Sequence, residues 1–290
     1  MKQYYFKECE TLQEVKKATK GLSKAKLVNL QFDDGGVTKD VDNFKGVYNY
    51  TKGKYASTVV NYYNLVQHKD YFDSFAIALD RLNIKYKMTI QEVNNRAFCD
   101  IDFKDRNVKY DKLNEEFTTG IRLINSYDKS SGIAVMPRFT RLACMNGMIV
   151  TRTEKTMTIK HIDKMAKEIE KFVEKKLHGM INEYSDLQRW VSNSMKDSIE
   201  WKKGCLIIAK LFDQLKHREE ILKRLGISIV SVADKKDKKK KLNRWDMYNA
   251  ITHYLTHGEQ ITPHIETIFQ KKATALLTSK LIKMPLAEVQ

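Results

Sequence analysis

Ile84-Lys85-Tyr86-Lys87-Met88-Thr89-Ile90-Gln91, followed across Asn94-Asn95 by Ala97-Phe98-Cys99-Asp100-Ile101-Asp102-Phe103, decides the fold class. In the first run Ile84, Tyr86, Met88 and Ile90 alternate with Lys85, Lys87, Thr89 and Gln91. In the second, Ala97, Cys99, Ile101 and Phe103 alternate with Phe98, Asp100 and Asp102. A period of two sends successive side chains to opposite faces of a pleated strand. The asparagine pair between the runs supplies turn chemistry, so the stretch predicts an antiparallel hairpin.

Outward from this hairpin the same logic continues. Lys104-Asp105-Arg106-Asn107 predicts another turn. Strands are expected at about 117–125 and 133–144, flanking Ser126-Tyr127-Asp128-Lys129-Ser130-Ser131-Gly132, with a tight turn at Asn146-Gly147 and a last strand near 156–160. Upstream, Leu65, Phe72, Phe75, Ala76, Leu79 and Leu82 fall largely on one face of a helix over 61–82. Residues 27–32 form a short apolar run that ends in the turn signal Asp33-Asp34-Gly35-Gly36.

Past residue 161 the period changes. Ile162, Met165, Ala166, Ile169, Phe172 and Val173 open a three-to-four spacing that runs to Tyr184. Further helices are expected over 205–225, closed by Gly226, over 245–257, and over 263–280, where Pro263 suits a first helical turn. The expected fold is α+β: an antiparallel sheet with a packed helix over 1–161, followed by an all-α part over 162–290. No repeat or long low-complexity linker separates the two, so they can pack as one unit.

The 290 residues include 52 lysines and arginines against 36 acids, a formal charge of +16, with 42% hydrophobic residues. That apolar content is enough for a core, and the surplus charge creates a field that favours phosphate polyanions. No apolar run approaches the roughly 20 residues that span a bilayer. The amino terminus has no signal-peptide apolar stretch, so the expected location is the cytoplasm of a cell or infected host. Cys9, Cys99, Cys144 and Cys205 lie far apart and form no CxxC pair, which argues for ordinary thiols.

Several groups could carry function. Lys235, Lys236, Lys238, Lys239, Lys240 and Lys241 form a nearly continuous run that would hold phosphates without reading sequence. Arg122, Arg138 and Arg141, with Lys129, Tyr127 and Phe139, lie in or beside the strands flanking 126–132. Cations that track a backbone and rings that stack on bases are what a single-stranded nucleic-acid platform needs. Tyr48, Tyr50, Tyr55, Tyr62 and Tyr63 are interspersed with Lys45, Lys52 and Lys54, in a basic–aromatic loop that stacks on nucleic acid or simply packs. Asp100 and Asp102 share a strand face and could hold Mg²⁺, but no further acid or lysine at a persuasive spacing completes a nuclease site. His253 and His257 are one helical turn apart, yet residue 254 is tyrosine, so the glutamate of HExxH is missing. There is no nucleotide P-loop and no GxSxG. No catalytic residue, metal site or cofactor is assigned.

Two stretches carry a resemblance. Gly120-Ile121-Arg122-Leu123-Ile124-Asn125-Ser126-Tyr127-Asp128-Lys129-Ser130-Ser131-Gly132, continued by Pro137-Arg138-Phe139-Thr140-Arg141-Leu142-Ala143-Cys144-Met145-Asn146-Gly147, is one. Asn243-Arg244-Trp245-Asp246-Met247-Tyr248-Asn249-Ala250-Ile251-Thr252-His253-Tyr254-Leu255-Thr256-His257 is the other. Both resemble the phage/plasmid-like protein family, whose members share domain of unknown function 932. Lys129 departs from the family pattern, which more often has glycine there. The resemblance implies a mobile-element setting, where small basic proteins serve replication and recombination.

Together these readings lead to a non-catalytic nucleic-acid-binding protein, with single-stranded DNA the favoured partner, acting in binding or annealing, the latter as a homo-oligomer. The alternatives are a Mg²⁺-dependent nuclease using Asp100 and Asp102, and a phage protein that binds a host defence protein.

Overall fold

A computed structural model of the chain describes residues 5–110, 115–141, 146–149, 157–159, 189–226, 241–257 and 261–278. The chain forms two compact units: Met1–Asn107 with Thr118–Arg138 and Arg152–Gly179, and Val108–Phe117 with Phe139–Thr151 and Met180–Gln290.

The predicted hairpin is the centre of the larger sheet. β5 (Tyr86–Val93) pairs antiparallel with β6 (Arg96–Tyr110), with Met88 opposite Ile101 and Ile90 opposite Cys99. Asn94 turns the chain at φ +57, a conformation asparagine tolerates better than most residues. β1 (Tyr5–Cys9) pairs antiparallel with β5 on the other side. β7 (Glu115–Ser126), β8 (Ile133–Arg141) and β10 (Met157–Ile159) extend the order to β1-β5-β6-β7-β8-β10, and β9 (Asn146–Ile149) also pairs with β8.

Lys104–Asn107 is not a turn: β6 runs through it. Lys104 donates its backbone N–H to the carbonyl of Lys85, and Lys85 and Lys104 reach Asp105 and Glu10. These cross-strand contacts override the local turn preference. Asn146-Gly147 likewise lies in β9 rather than in a turn.

The helix expected over 61–82 is shorter: α2 is His68–Arg81. Its Tyr71, Phe72, Phe75 and Leu79 are fully buried, and the Tyr71 hydroxyl donates to the carbonyl of Ala134 in β8 at 3.1 Å. α1 (Leu12–Thr19), closed at its start by a reciprocal Thr11–Glu14 capping box, packs on α2.

A second sheet was legible only at one end. β2 (Ala25–Asp34), β3 (Val37–Asn49) and β4 (Lys54–Val60) form an antiparallel meander, where the sequence suggested one short run and a loop. One face buries Ala25, Val47 and Val59 with Tyr127, and Leu27, Tyr63 and Leu65 pack against them.

The second unit is mainly helical but not all-α. Residues 189–196 are helical (α3), followed by α4 (Trp201–Leu211), α5 (Leu215–Arg224), α6 (Arg244–His257) and α7 (Pro263–Thr278). A two-stranded ribbon, β11 (Ile199–Glu200) with β12 (Lys241–Leu242), ties the chain before α4 to the chain before α6. Two residues per strand are too few to show any period. The single helix expected over 205–225 is broken at Phe212, whose extended backbone (φ −126, ψ 111) carries its ring into the core. Gly226, at φ +71, closes α5 as expected. The helix expected over 162–184 and the loop over 234–240 lie outside the described residues.

Candidate nucleic-acid interface

The residues that carry the resemblance build the architecture. Gly120 sits where a Cβ would collide with the carbonyl oxygen of Ile101, so β7 can approach β6 only without a side chain there. Arg122 is 2% exposed and grips Asp100 with two parallel bonds, Nε to Oδ1 at 2.5 Å and Nη2 to Oδ2 at 2.6 Å. Arg138 pairs with Asp102 and lies 3.6 Å from Asp100. Burial pushes the Asp100 carboxyl up, but the Arg122 and Arg138 guanidiniums more than offset this and hold it below the usual carboxylate range. Asn125 donates to the carbonyl of Val66 at 3.1 Å.

The second stretch does the same in the other unit. Asn243 accepts the N–H of Asp246 at 2.8 Å and so caps α6. Arg244 pairs with Asp197 and donates to the carbonyls of Leu276 and Leu277 near the end of α7. Trp245 stacks on Tyr248 in the core.

Tyr127 is the organiser of a different arrangement. It is 2% exposed, and its hydroxyl donates toward the Ser23 carbonyl and Gln67 Oε1 while accepting the N–H of His68 at 3.0 Å. Its backbone N–H donates to the Asn95 carbonyl at 2.8 Å, and its carbonyl accepts Ser57 of β4 at 2.7 Å. Three hairpin turns thereby interlock: 50–53 after β3, Asn94-Asn95 after β5, and 127–132 after β7. Asn49 Nδ2 bonds Asn95 Oδ1 at 2.9 Å, Lys52 Nζ reaches the Asn94 carbonyl and Glu92, and Arg96 pairs with Asp128 at 2.9 Å. Lys24 joins them, donating its N–H to Thr51 Oγ1 at 2.9 Å and accepting the N–H of Tyr50.

What these turns present to solvent is basic and aromatic. Lys24, Lys54 and Lys129 are exposed, as are the rings of Tyr50 and Tyr55. The acids among them, Glu92 and Asp128, are taken up by Lys52 and Arg96. Lys129 stands at φ +59, a left-handed conformation that costs a lysine about 1 kcal/mol or more. Ser126 and Asp128 hold that turn: Ser126 Oγ bonds the backbone N–H and carbonyl of Ser131, and Asp128 Oδ1 accepts the N–H of Ser130. Replacing Lys129 with glycine should relieve the strain and, after the glycine's own chain-entropy cost, raise stability by about 0.5 kcal/mol. Urea unfolding measures it.

Of the residues singled out from sequence, Lys129 therefore lies exposed at this site, while Arg122 and Tyr127 are buried and engaged and Arg138 pairs with Asp102. Arg141 is in β8 and Lys241 in β12, with side chains outside the described residues, as are Lys235, Lys236, Lys238, Lys239 and Lys240 altogether. Lys24 gave no signal of its own, because only the fold brings it to Thr51. Among the described residues no group of three or more His, Cys, Asp or Glu is placed to hold a metal ion, and no helix is long and apolar enough to cross a membrane.

The architecture is thus a mixed α/β chain with antiparallel sheets and a helical second unit, bearing a basic–aromatic surface on interlocked turns. A family model described as Domain of unknown function (DUF932) matches residues 56–279, and the chain belongs to that family. No curated protein and no solved structure matches it.

Proposed function

We propose that this chain is a nucleic-acid-binding protein of a phage or other mobile element, engaging single-stranded DNA in replication or recombination in the host cytoplasm without cleaving it. The observation that carries the reading is the set of interlocked turns, which raises Lys24, Lys54, Lys129, Tyr50 and Tyr55 together from a rigid base. Lysines there track phosphates by releasing counterions, and exposed rings accept any base, which gives affinity without sequence readout. The net charge of +16 adds long-range attraction. Annealing activity would use a homo-oligomer, since one such surface covers few nucleotides.

The nuclease alternative is less well supported by the geometry. Asp100 and Asp102 are engaged by Arg122 and Arg138, so their charge is already neutralised by protein cations. A host defence protein remains the competing partner for the same charged surface.

Fluorescence anisotropy with labelled single-stranded DNA across a salt series tests the proposal. Alanine at Lys24, Lys54 and Lys129 together should weaken binding and lower the slope of log K against log salt by about 2, at about 0.7 per single-strand phosphate contact. An unchanged slope would discard this surface, and no binding at low salt would discard nucleic acid as the partner.

A further inference from the structure

Near the turns the inner face of the β2–β4 sheet is buried; its outer face is largely apolar, with Phe44 and Tyr55 exposed and Val28, Tyr48 and Val60 half-buried. Lys26, Tyr48 and Tyr55 lie opposite one another across the three strands, followed by Val28, Gly46 and Thr58, and then Phe44 opposite Val60. Tyr55 is 53% exposed and Phe44 46%, large values for aromatic rings on a sheet.

These rings are held in place. A Cβ on Gly46 would come within 3.1 Å of the Tyr55 ring and 2.9 Å of Leu30, so the absence of a side chain lets both lean over the strand. The Tyr55 hydroxyl also bonds Thr58 Oγ1. A ring that is pinned yet half in solvent loses little freedom when a flat partner stacks on it. Charge is graded along the same sheet. Lys24, Lys26 and Lys54 lie at the end joined to the interlocked turns, whereas Asp33, Asp34, Asp40 and Asp42 gather at the far end, where Lys39 pairs with Asp34 and leaves the remaining acids in excess.

We infer that the outer face of the β2–β4 sheet, through Tyr48, Tyr55 and Phe44, is a stacking platform for unpaired nucleobases whose phosphates run along Lys24 and Lys26, with Lys54, opposite Asn49 in the inner row, adding charge at the same end. This rests on the nucleic-acid reading above and assigns it a substrate class: bases must be free of a duplex to lie on the rings. The acidic far end repels a backbone and confines the strand to the half of the sheet nearest the turns. Strands lie about 4.8 Å apart, so the platform takes a few nucleotides. Stacking on rings without donors or acceptors aimed at base edges makes it tolerant of sequence.

The test compares three probes of equal length by anisotropy: single-stranded DNA, an abasic oligonucleotide, and a duplex. The parent protein should bind the single strand about tenfold or more tightly than the abasic probe. Tyr55→Leu and Phe44→Leu, each checked for an unchanged melting temperature, should erase that preference and leave the salt-dependent binding of the abasic probe intact. Should either variant melt early, quenching of tyrosine fluorescence in the parent by single-stranded but not abasic DNA replaces it. Equal affinity for the single-stranded and abasic probes would overturn the platform while leaving the cationic surface standing. No binding of any probe would overturn both. Loss of self-association in Tyr55→Leu, with base preference retained, would reassign the face to a second copy of this chain.

Discussion

Acidification from pH 6.5 toward pH 3 should cost this protein up to about 5 kcal/mol through His68 alone. His68 opens α2 with no exposed surface and stacks on Tyr127, ring centroids 3.8 Å apart and planes 18° from parallel. Neither ring nitrogen has a hydrogen-bond partner among the described residues. Burial, helped by the nearby positive charge of Lys52 and opposed by Asp128, depresses its pKa from 6.5 to about 3. Above pH 6.5 the imidazole is neutral in both the folded and the unfolded chain and has no effect. As the pH falls below 6.5, the unfolded chain binds a proton that the folded chain excludes. Stability therefore drops by about 1.4 kcal/mol per pH unit until the folded pKa is reached. Asp100 and Asp128, whose folded pKa values lie below the ordinary carboxylate range, withdraw their own contributions only below about pH 4. Between pH 6 and pH 4.5 these carboxylates are silent, and His217, whose pKa burial and Lys216 also lower, adds a slope of its own that is common to the parent and a His68 variant. Urea unfolding across this window should show the slope in the parent protein and a much flatter line in His68→Phe, which keeps a ring against Tyr127. Parallel lines would mean that His68 takes its proton in the folded protein.

Removing the Asp100 carboxylate should destabilise the fold by about 3–5 kcal/mol, because Arg122 would be left as a buried charge without its main partner. The magnitude follows from burial on both faces of β6: Asp100 and Arg122 are almost inaccessible, while Cys99 and Ile101 fill the opposite side. Asp100→Ala should lower the urea midpoint sharply. Asp100→Leu combined with Arg122→Met should recover much of the loss, since apolar residues of similar volume replace a buried pair at little net cost. The same variant separates a structural from a catalytic role. If Asp100→Ala unfolded at the parent's urea midpoint yet lost a Mg²⁺-dependent cleavage present in the parent, the acids would belong to a nuclease centre and the pairing described here would be incidental.

The central hairpin, the buried side of α2, and helices α6 and α7 were legible in the chain, because apolar residues recur along each at the period of its own strand or helix. Hydropathy then alternates with the geometry of the strand or helix itself. β2–β4 escaped that reading. Its outer face carries Val28, Phe44, Tyr48 and Tyr55, nearly as apolar as its inner face, so alternation is erased where an exposed surface is aromatic. The break at Phe212 and the two-residue ribbon β11–β12 were hidden for another reason: both are set by what the core needs, not by local preference.

The candidate site divides along the same line. Composition alone gave the excess of cations, and local spacing gave the basic–aromatic segment from Tyr48 to Tyr55 and the turn at Lys129. Which charges face solvent could not be read from order along the chain. Arg122 and Lys129 are seven positions apart and were equal candidates, yet one is enclosed with Asp100 and the other stands on a strained, exposed turn. A charge's availability depends on its partners and its burial, and both come from strands distant in sequence. Thus the basic character, the alternating strands and the amphipathic helices belong to the amino-acid order itself. The pairing that silences Arg122, and the meeting of Lys24, Lys54 and Lys129 on three interlocked turns, exist only once long-range contacts have formed.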